Sequence, residues 1–329
     1  MTVYFTHQSA LAFWRWQREF GHRSPRHAKT ERYAGTAPTR AEIRDAAQQV
    51  LPTGSEVHVS VPDGASLAGG PGVQRHRWSR ASCRGSYVLV AKGVYVSTAE
   101  LAYIQMASLL DLEHLIELGY ELCGHFCYSA IERTCRTSAP LTSPAALARF
   151  AEGACGLHGA VKARQAARLV LAEARSPREA HASMILSLPY RLGGYGLRPP
   201  ELNGVIVYDR DGYDRYHGGY LMCDLLWRDA RVALEYESDA FHAGPDALMA
   251  DSRRRNRLRA LGYDVITLTN SEIKDVVAMD ALANSIARGI GQRLRPSLPD
   301  YAIRKQRLRH MLLSSQARKD VAHLPRCED

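Results

Sequence analysis

The stretch Leu221 to Glu237, LMCDLLWRDARVALEYE, decides how the chain is read. It holds two β-like apolar runs, Tyr220 to Trp227 and Val232 to Tyr236, and each carries carboxylates among apolar neighbours: Asp224 in the first, Glu235 and Glu237 at the second. An acid flanked by Cys223, Leu225, Leu226 and Trp227 in a central strand loses its hydration unless it is paired or metal-bound. Carboxylates at i and i+2 of a strand share a face, so Glu235 and Glu237 point the same way. With Asp224 on the adjacent strand they make an oxygen-rich pocket suited to a hard divalent cation, Mg²⁺ or Mn²⁺. Two simpler readings stand beside this one: Asp224 in an ion pair with an arginine, and Glu235 and Glu237 on the solvent face of an edge strand.

Outward from this stretch the order is regular. Upstream, Ser176, Pro177 and Glu179 occupy the N-cap, N1 and N3 positions of a helix that Pro189 stops, and Gly204 to Tyr208 is a strand. Glu179 is therefore either half of a capping box or a further carboxylate of the site. Downstream, Pro245 to Leu261 is helical and closed by Gly262, Tyr263 to Leu268 is a strand, and Thr269 with Glu272 caps a helix to about Arg288. The result is αβββαβα, an α/β arrangement with a mixed sheet. The first downstream helix carries Asp251, Arg253, Arg254, Arg255, Arg257 and Arg259. Such a run is either a solvated face or, beside an acidic metal site, a grip for phosphate. A last helix from Tyr301 to about Lys319 adds Arg304, Lys305, Arg307 and Arg309.

The ordered set SPREA, CDLLW, ALEYES, Phe241 with His242, DSRRRNRL and GYDVITLT resembles the PD-(D/E)xK nuclease superfamily, most nearly its very-short-patch-repair (Vsr-like) branch. The resemblance covers Ser176 to Ser285. It implies a restriction-endonuclease-like αβββαβ core, a metal carboxylate at Asp224, acidic active-site positions at Glu235 and Glu237, a helix carboxylate at Glu179 and an active-site histidine at His242. Glu237 stands where the superfamily often has Lys. The section from Glu56 to Gly124 resembles the region that precedes nuclease-like domains in AbiEi-type abortive-infection antitoxin proteins. These resemblances imply a preceding smaller α+β domain, and a defence, repair or toxin-antitoxin setting.

In the first half, apolar and aromatic residues recur at helical spacing from Leu11 to Phe20, and Arg23 to Thr39 reads as an exposed basic linker. EVHVSV (Glu56–Val61) alternates as a strand, and two more strand-like runs lie between Ser86 and Val96. Ser97 with Glu100 forms a capping-box signature before one or two helices that keep their period to Gly119. Ala145 to Ala174 is Ala-rich and helical. Cys123, Cys127, Cys155 and His158 resemble zinc ligands in spacing but fit no standard finger, and the first two at i and i+4 of a helix serve equally as small core residues. The domains expected are 1–45 (helix and basic linker), 46–174 (α+β), 175–290 (nuclease-like) and 291–329 (basic helix and tail).

A length of 329 residues suggests about two domains, and 46% apolar residues suffice for a packed core. Fibrous and wholly disordered classes are excluded. The 43 Lys and Arg against 34 Asp and Glu give +9, which favours polyanions. The opening lacks a signal-peptide pattern, no run of 18 apolar residues occurs, and the seven Cys form an odd count, so a soluble cytoplasmic protein with reduced thiols is expected. The leading expectation is a Mg²⁺-dependent DNA endonuclease with Asp224, Glu235 and Glu237 on the metal, His242 or Glu237 handling the attacking water, and Arg253, Arg254, Arg255, Arg257, Arg304, Lys305 and Arg307 on DNA. The alternative is a non-catalytic nucleic-acid-binding regulator or antitoxin that keeps the fold as a platform. DNA is the expected partner, with a homodimer or a toxin as further candidates and no membrane.

Overall fold

Ser176 closes the first turn of α7 (Pro177–Ser187) by accepting the Glu179 N–H, with Pro177 at the first helical position where its missing donor costs nothing. Three strands follow, β9 (Glu201–Tyr208), β10 (Gly219–Trp227) and β11 (Val232–Glu237), then α8 (Pro245–Ala260), β12 (Asp264–Thr269), α9 (Val276–Gly289) and α10 (Tyr301–Leu313). These elements form the second of two units, Glu173–Arg318, the first being Met1–Ala172. The structure is a computed structural model that describes residues 2–21, 26–27, 35–78, 85–129, 134–208, 219–237 and 245–314.

The sheet of the second unit runs β12-β11-β10-β9. β9, β10 and β11 are antiparallel neighbours, while β12 returns parallel to β11 after the α8 crossover. The expected α-β-β-β-α-β-α order and mixed α/β sheet are present. β11 lies inside this sheet, which excludes the edge-strand reading of its two glutamates. Leu258 of α8 packs with Ile206, Leu221, Cys223, Leu226, Ala233 and Val265 on one face. Val232 points to the other face by strand alternation, and there a Cβ on Gly289 of α9 would meet it at 2.9 Å. The sheet is thus covered on both sides, which explains why its strands read as nearly continuous apolar runs. Thr269 and Glu272 do bond reciprocally, but around a short 3₁₀ turn at 272–274; the cap of α9 is Asp275, whose side chain accepts from Val277 and Ala278. α10 ends at Leu313, where Ser314 turns to extended backbone (φ −71, ψ 150), so the helix stops short of the expected Lys319.

The first unit is built on a six-stranded sheet. β1 (Val3–Phe5), wholly buried, sits at its interior between β6 (Val94–Ser97) and β3 (Val57–Val61), and β4 (Val73–Arg77), β5 (Tyr87–Ala91) and the short β2 (Arg26–His27) complete the order β2-β5-β6-β1-β3-β4. Residues 1–45, expected to form a separate helix and linker, supply β1, α1 (His7–Phe20), β2 and the start of α2 (Arg40–Val50) to this unit. Arg15 of α1 grips Glu121 of α4 (Leu112–Cys123) through two buried hydrogen bonds of 2.8 and 2.6 Å. α3 (Ala99–Met106) is capped by Thr98 rather than Ser97; Glu100 instead accepts the Thr142 hydroxyl. α4 runs past Gly119 to Cys123, and Cys127 lies in β7 (Phe126–Tyr128), paired with β8 (Cys135–Thr137), so the two cysteines are not one helical turn apart. α5 (Pro144–Gly153) and α6 (Ala160–Ala167) are the expected Ala-rich helices. No helix among the described residues is long and apolar enough to cross a membrane.

Candidate functional site

The hydrogen-bond ladder of the second sheet is interrupted at one place. β10 pairs with β11 from Trp227↔Val232 to Leu225↔Leu234 and no further, and its pairing with β9 skips Asp224 and Asn203. Asn203 adopts φ +51, a left-handed conformation that Asn tolerates better than most residues. The Asp224 side chain fills the gap, its Oδ2 accepting the Tyr236 N–H at 2.7 Å where a backbone carbonyl would stand in a regular ladder. A carboxylate thus lies inside the sheet rather than over it.

Burial, foremost, and the nearby charges of Glu235 and Glu179 raise the Asp224 carboxyl to about 7 against the Tyr236 N–H and Arg254, which lower it. Asp224 from β10, Glu235 from β11 and Glu179 from α7 are therefore close enough to feel one another. Glu235 is 6% exposed and shares the α8 side of β11 with Ala233 and Glu237. Burial and the Glu235 charge push the neighbouring Cys223 thiol up to about 12, so it stays protonated.

Arginines of α8 answer these acids. Arg254 Nη1 donates to Glu235 Oε2 at 2.5 Å and its Nη2 to the Met222 carbonyl, while Arg255 Nη1 donates to Glu237 Oε1 at 2.5 Å. Two of the expected DNA-binding residues are thus held by the expected metal carboxylates. Arg253 is exposed; Arg257 lies over the Tyr208 ring and donates to its hydroxyl at 2.6 Å.

Glu179 takes part in the N-terminal cap of α7 and also lies near Asp224. Its carboxylate accepts from Ser176 Oγ, the Arg175 N–H and Asn203 Nδ2 at 2.8, 2.9 and 2.6 Å, fixing the start of α7, while its charge reaches Asp224. Asn203, which the sequence reading did not single out, is the link between them; an Asn-Gly pair inside a strand-like run was its signal. The α10 residues rest on other partners: Lys305 Nζ is 2.6 Å from Asp280 Oδ1, Arg304 pairs with Asp300 at 2.6 Å, and Arg307 is exposed. Phe241 and His242 lie outside the described residues, as does the side chain of Asp251. Of the zinc candidates, Cys123 and Cys127 are buried in the core and Cys155 is exposed, its Sγ 3.0 Å from the Glu152 carbonyl; among the described residues these four make no ligand group.

Chemically, the cluster offers hard oxygen donors and more negative than positive charge at its buried end. Glu179, Asp224 and Glu235 lie together there, and Arg254 is the cation that lowers the Asp224 carboxyl. That donor set suits Mg²⁺ or Mn²⁺ in kind, although no three of its carboxylates come within 4.8 Å of one another with Arg254 between them.

No family model and no solved structure matches this chain. Two curated relatives from Mycobacterium tuberculosis are similar to part of it: Uncharacterized protein MT2308 (strain CDC 1551 / Oshkosh) and Uncharacterized protein Rv2248 (strain ATCC 25618 / H37Rv). Each is 31% identical to it over 120 residues, a stretch that makes up 36% of this chain and 39% of the relative.

Proposed function

We propose that the second unit is a nuclease-like domain that hydrolyses DNA phosphodiesters with a divalent cation at Asp224 and Glu235. The observation that carries this reading is a carboxylate set into a break of the sheet, beside a second buried carboxylate, under an arginine-bearing helix. Asp224 and Glu235 would hold Mg²⁺ or Mn²⁺, with Glu237 next to them on the same face. When bound, such an ion supplies Lewis acidity and lowers the pKa of a coordinated water. Glu237, beside the two metal carboxylates, would orient or deprotonate the attacking water. Arg254 and Arg255 bring fixed positive charge against the strand face, where charge develops on a phosphate in the transition state. Arg253 and Arg257 would grip flanking phosphates. The substrate calls for no export, and the cytoplasm is the compartment that fits.

A second reading is favoured by the ion pairs themselves. With Arg254 on Glu235 and Arg255 on Glu237, the acids are neutralised without metal, as a non-catalytic DNA-binding regulator or antitoxin would require. Incubating supercoiled plasmid with the full chain and Mg²⁺ separates the two. The first reading predicts metal-dependent nicking that Asp224→Ala removes; the second predicts a mobility shift with intact plasmid in both proteins.

A further inference from the structure

Three histidines far apart in the sequence converge in the first unit. His7 opens α1, His58 lies in β3 and His76 in β4. One ring nitrogen of each lies within 4.8 Å of the other two, and among the described residues this is the one such group of three His, Cys, Asp or Glu. The topology explains the convergence. β3 and β4 run parallel with His76 opposite Ser60, two residues from His58 on the same strand face. β1 lies on the other side of β3, and the chain leaving it passes His58, whose carbonyl accepts the Thr6 N–H, before turning into α1 at His7.

We propose that His7, His58 and His76 form a binding site for a divalent transition metal of the zinc class. Zinc–imidazole bonds of about 2.0–2.1 Å in a tetrahedron set the nitrogens roughly 3.3 Å apart. His58 Nδ1 and His76 Nε2 already face each other at 2.9 Å, and the His7 ring stacks on His76 with centroids 3.7 Å apart. From separations within 4.8 Å, closing the set around an ion takes shifts of roughly 1.5 Å together with a turn of the stacked His7 ring, so that its in-plane lone pair aims at the same point as those of His58 and His76. The outward nitrogen of His7 has a contact that orients metal-bound imidazoles, its Nδ1 lying 3.0 Å from Thr6 Oγ1; His58 Nε2 is buried without a hydrogen-bond partner, the Glu56 Oε2 standing 3.8 Å away.

Two further features fit this assignment. Burial holds all three imidazoles below their usual range, with repulsion from neighbouring histidines adding to it in His7 and His76, so the cluster is neutral and does not repel a cation at neutral pH. His7 also takes φ +50, a strained conformation for a residue with a Cβ, maintained by its N–H donating to Gln105 Oε1 at 3.1 Å. A cavity of about 310 Å³, lined by His7 and His76 with Gln105 and Ser108, gives an ion a path in and leaves a fourth position open to water or a small ligand. This site is independent of the acidic cluster, because three nitrogens select a softer ion than carboxylates do.

The test titrates the full chain with Co²⁺, followed by visible absorbance, and then displaces it with Zn²⁺ in a calorimeter. One equivalent of Co²⁺ with a tetrahedral spectrum is expected, with affinity lowered by roughly 100-fold or more in His58→Ala and in His76→Ala. His76→Gln, on a sheet edge and partly exposed, keeps the side-chain bulk and separates ligand loss from misfolding, which circular dichroism reads in parallel. Asp224→Asn should leave the tetrahedral Co²⁺ absorbance unchanged, because an oxygen-donor site holds Co²⁺ in octahedral geometry with a much weaker spectrum. Absence of stoichiometric Co²⁺ and Zn²⁺ binding by the wild type would overturn the proposal. So would undiminished binding by folded His76→Gln, or an equal loss in Asp224→Asn.

Discussion

Asp224→Asn should make the second unit more stable, and the gain should depend on pH. Asp224 titrates at about 7 in the folded protein against 3.8 for an ordinary aspartate, chiefly because of burial. Between these values the folded state binds the proton and the unfolded state does not, so wild-type stability falls as pH rises from about 4 to 7. At 1.36 kcal/mol per pH unit the full effect is roughly 4 kcal/mol, and solvent screening of a partly exposed group brings it nearer to about 2. Asn is neutral, keeps the shape, and retains a carbonyl to accept the Tyr236 N–H. At pH 8 the variant should therefore melt roughly 5 °C above wild type, and at pH 4 the two should coincide. Differential scanning calorimetry of both full-length proteins across this range reads the difference directly. A variant that melts below wild type at pH 8, or a gap that is the same at pH 4 and pH 8, would refute the reasoning.

Other perturbations follow from the same geometry. Arg254→Ala leaves the buried Glu235 without its cation and should cost roughly 3 kcal/mol in urea unfolding, most of which an added Glu235→Gln should restore; additive losses would contradict the pairing. The buried His58, whose pKa is depressed to about 4, is protonated more readily unfolded than folded. Stability of the first unit should therefore drop as pH falls from 6.5 to 4, by up to about 3 kcal/mol from each of His58 and His76, and His58→Gln should remove only its own share of that slope in acid-titration melts. If DNA is bound across α8, the double variant Arg253→Ala/Arg257→Ala should reduce the salt slope of log K by about 1.8, and an unchanged slope would remove this helix from the interface. If cleavage occurs, Glu237→Gln should slow it by about 10²–10⁴ with folding intact, whereas a wild-type nicking rate would end its catalytic assignment.

Much of the second unit was legible because its signals are local and agree with one another. Ser176-Pro177-Glu179 names a helix start, Gly262 a helix end, and the apolar runs around Asp224 and Glu235 mark strands covered on both faces. What the sequence did not reveal was the pairing of Arg254 and Arg255 with the two glutamates, since side chains from different elements meet only after folding. The break at Asp224 was hidden for the same reason: it depends on Asn203 in β9. In the first unit, β1 is three residues long and apolar throughout, too short for any periodicity to declare it. β4, VQRHR, sits at a sheet edge and is polar because edges are protected by charge rather than packed. α2 did carry a readable signal, Thr39 with Glu42, and both halves of that capping box form. The histidine cluster was beyond reach of spacing rules, because its members lie on α1, β3 and β4 and meet only when those elements pack.

Calorimetric titration with Mn²⁺ decides whether Asp224 ligates a divalent cation as proposed. The comparison is made in a His58→Ala/His76→Ala background, so that the histidine cluster contributes nothing to the signal. One Mn²⁺ site is expected in that protein, lost or markedly weakened when Asp224→Asn is added. Identical titrations with and without Asp224, or no Mn²⁺ binding in either protein, would contradict it.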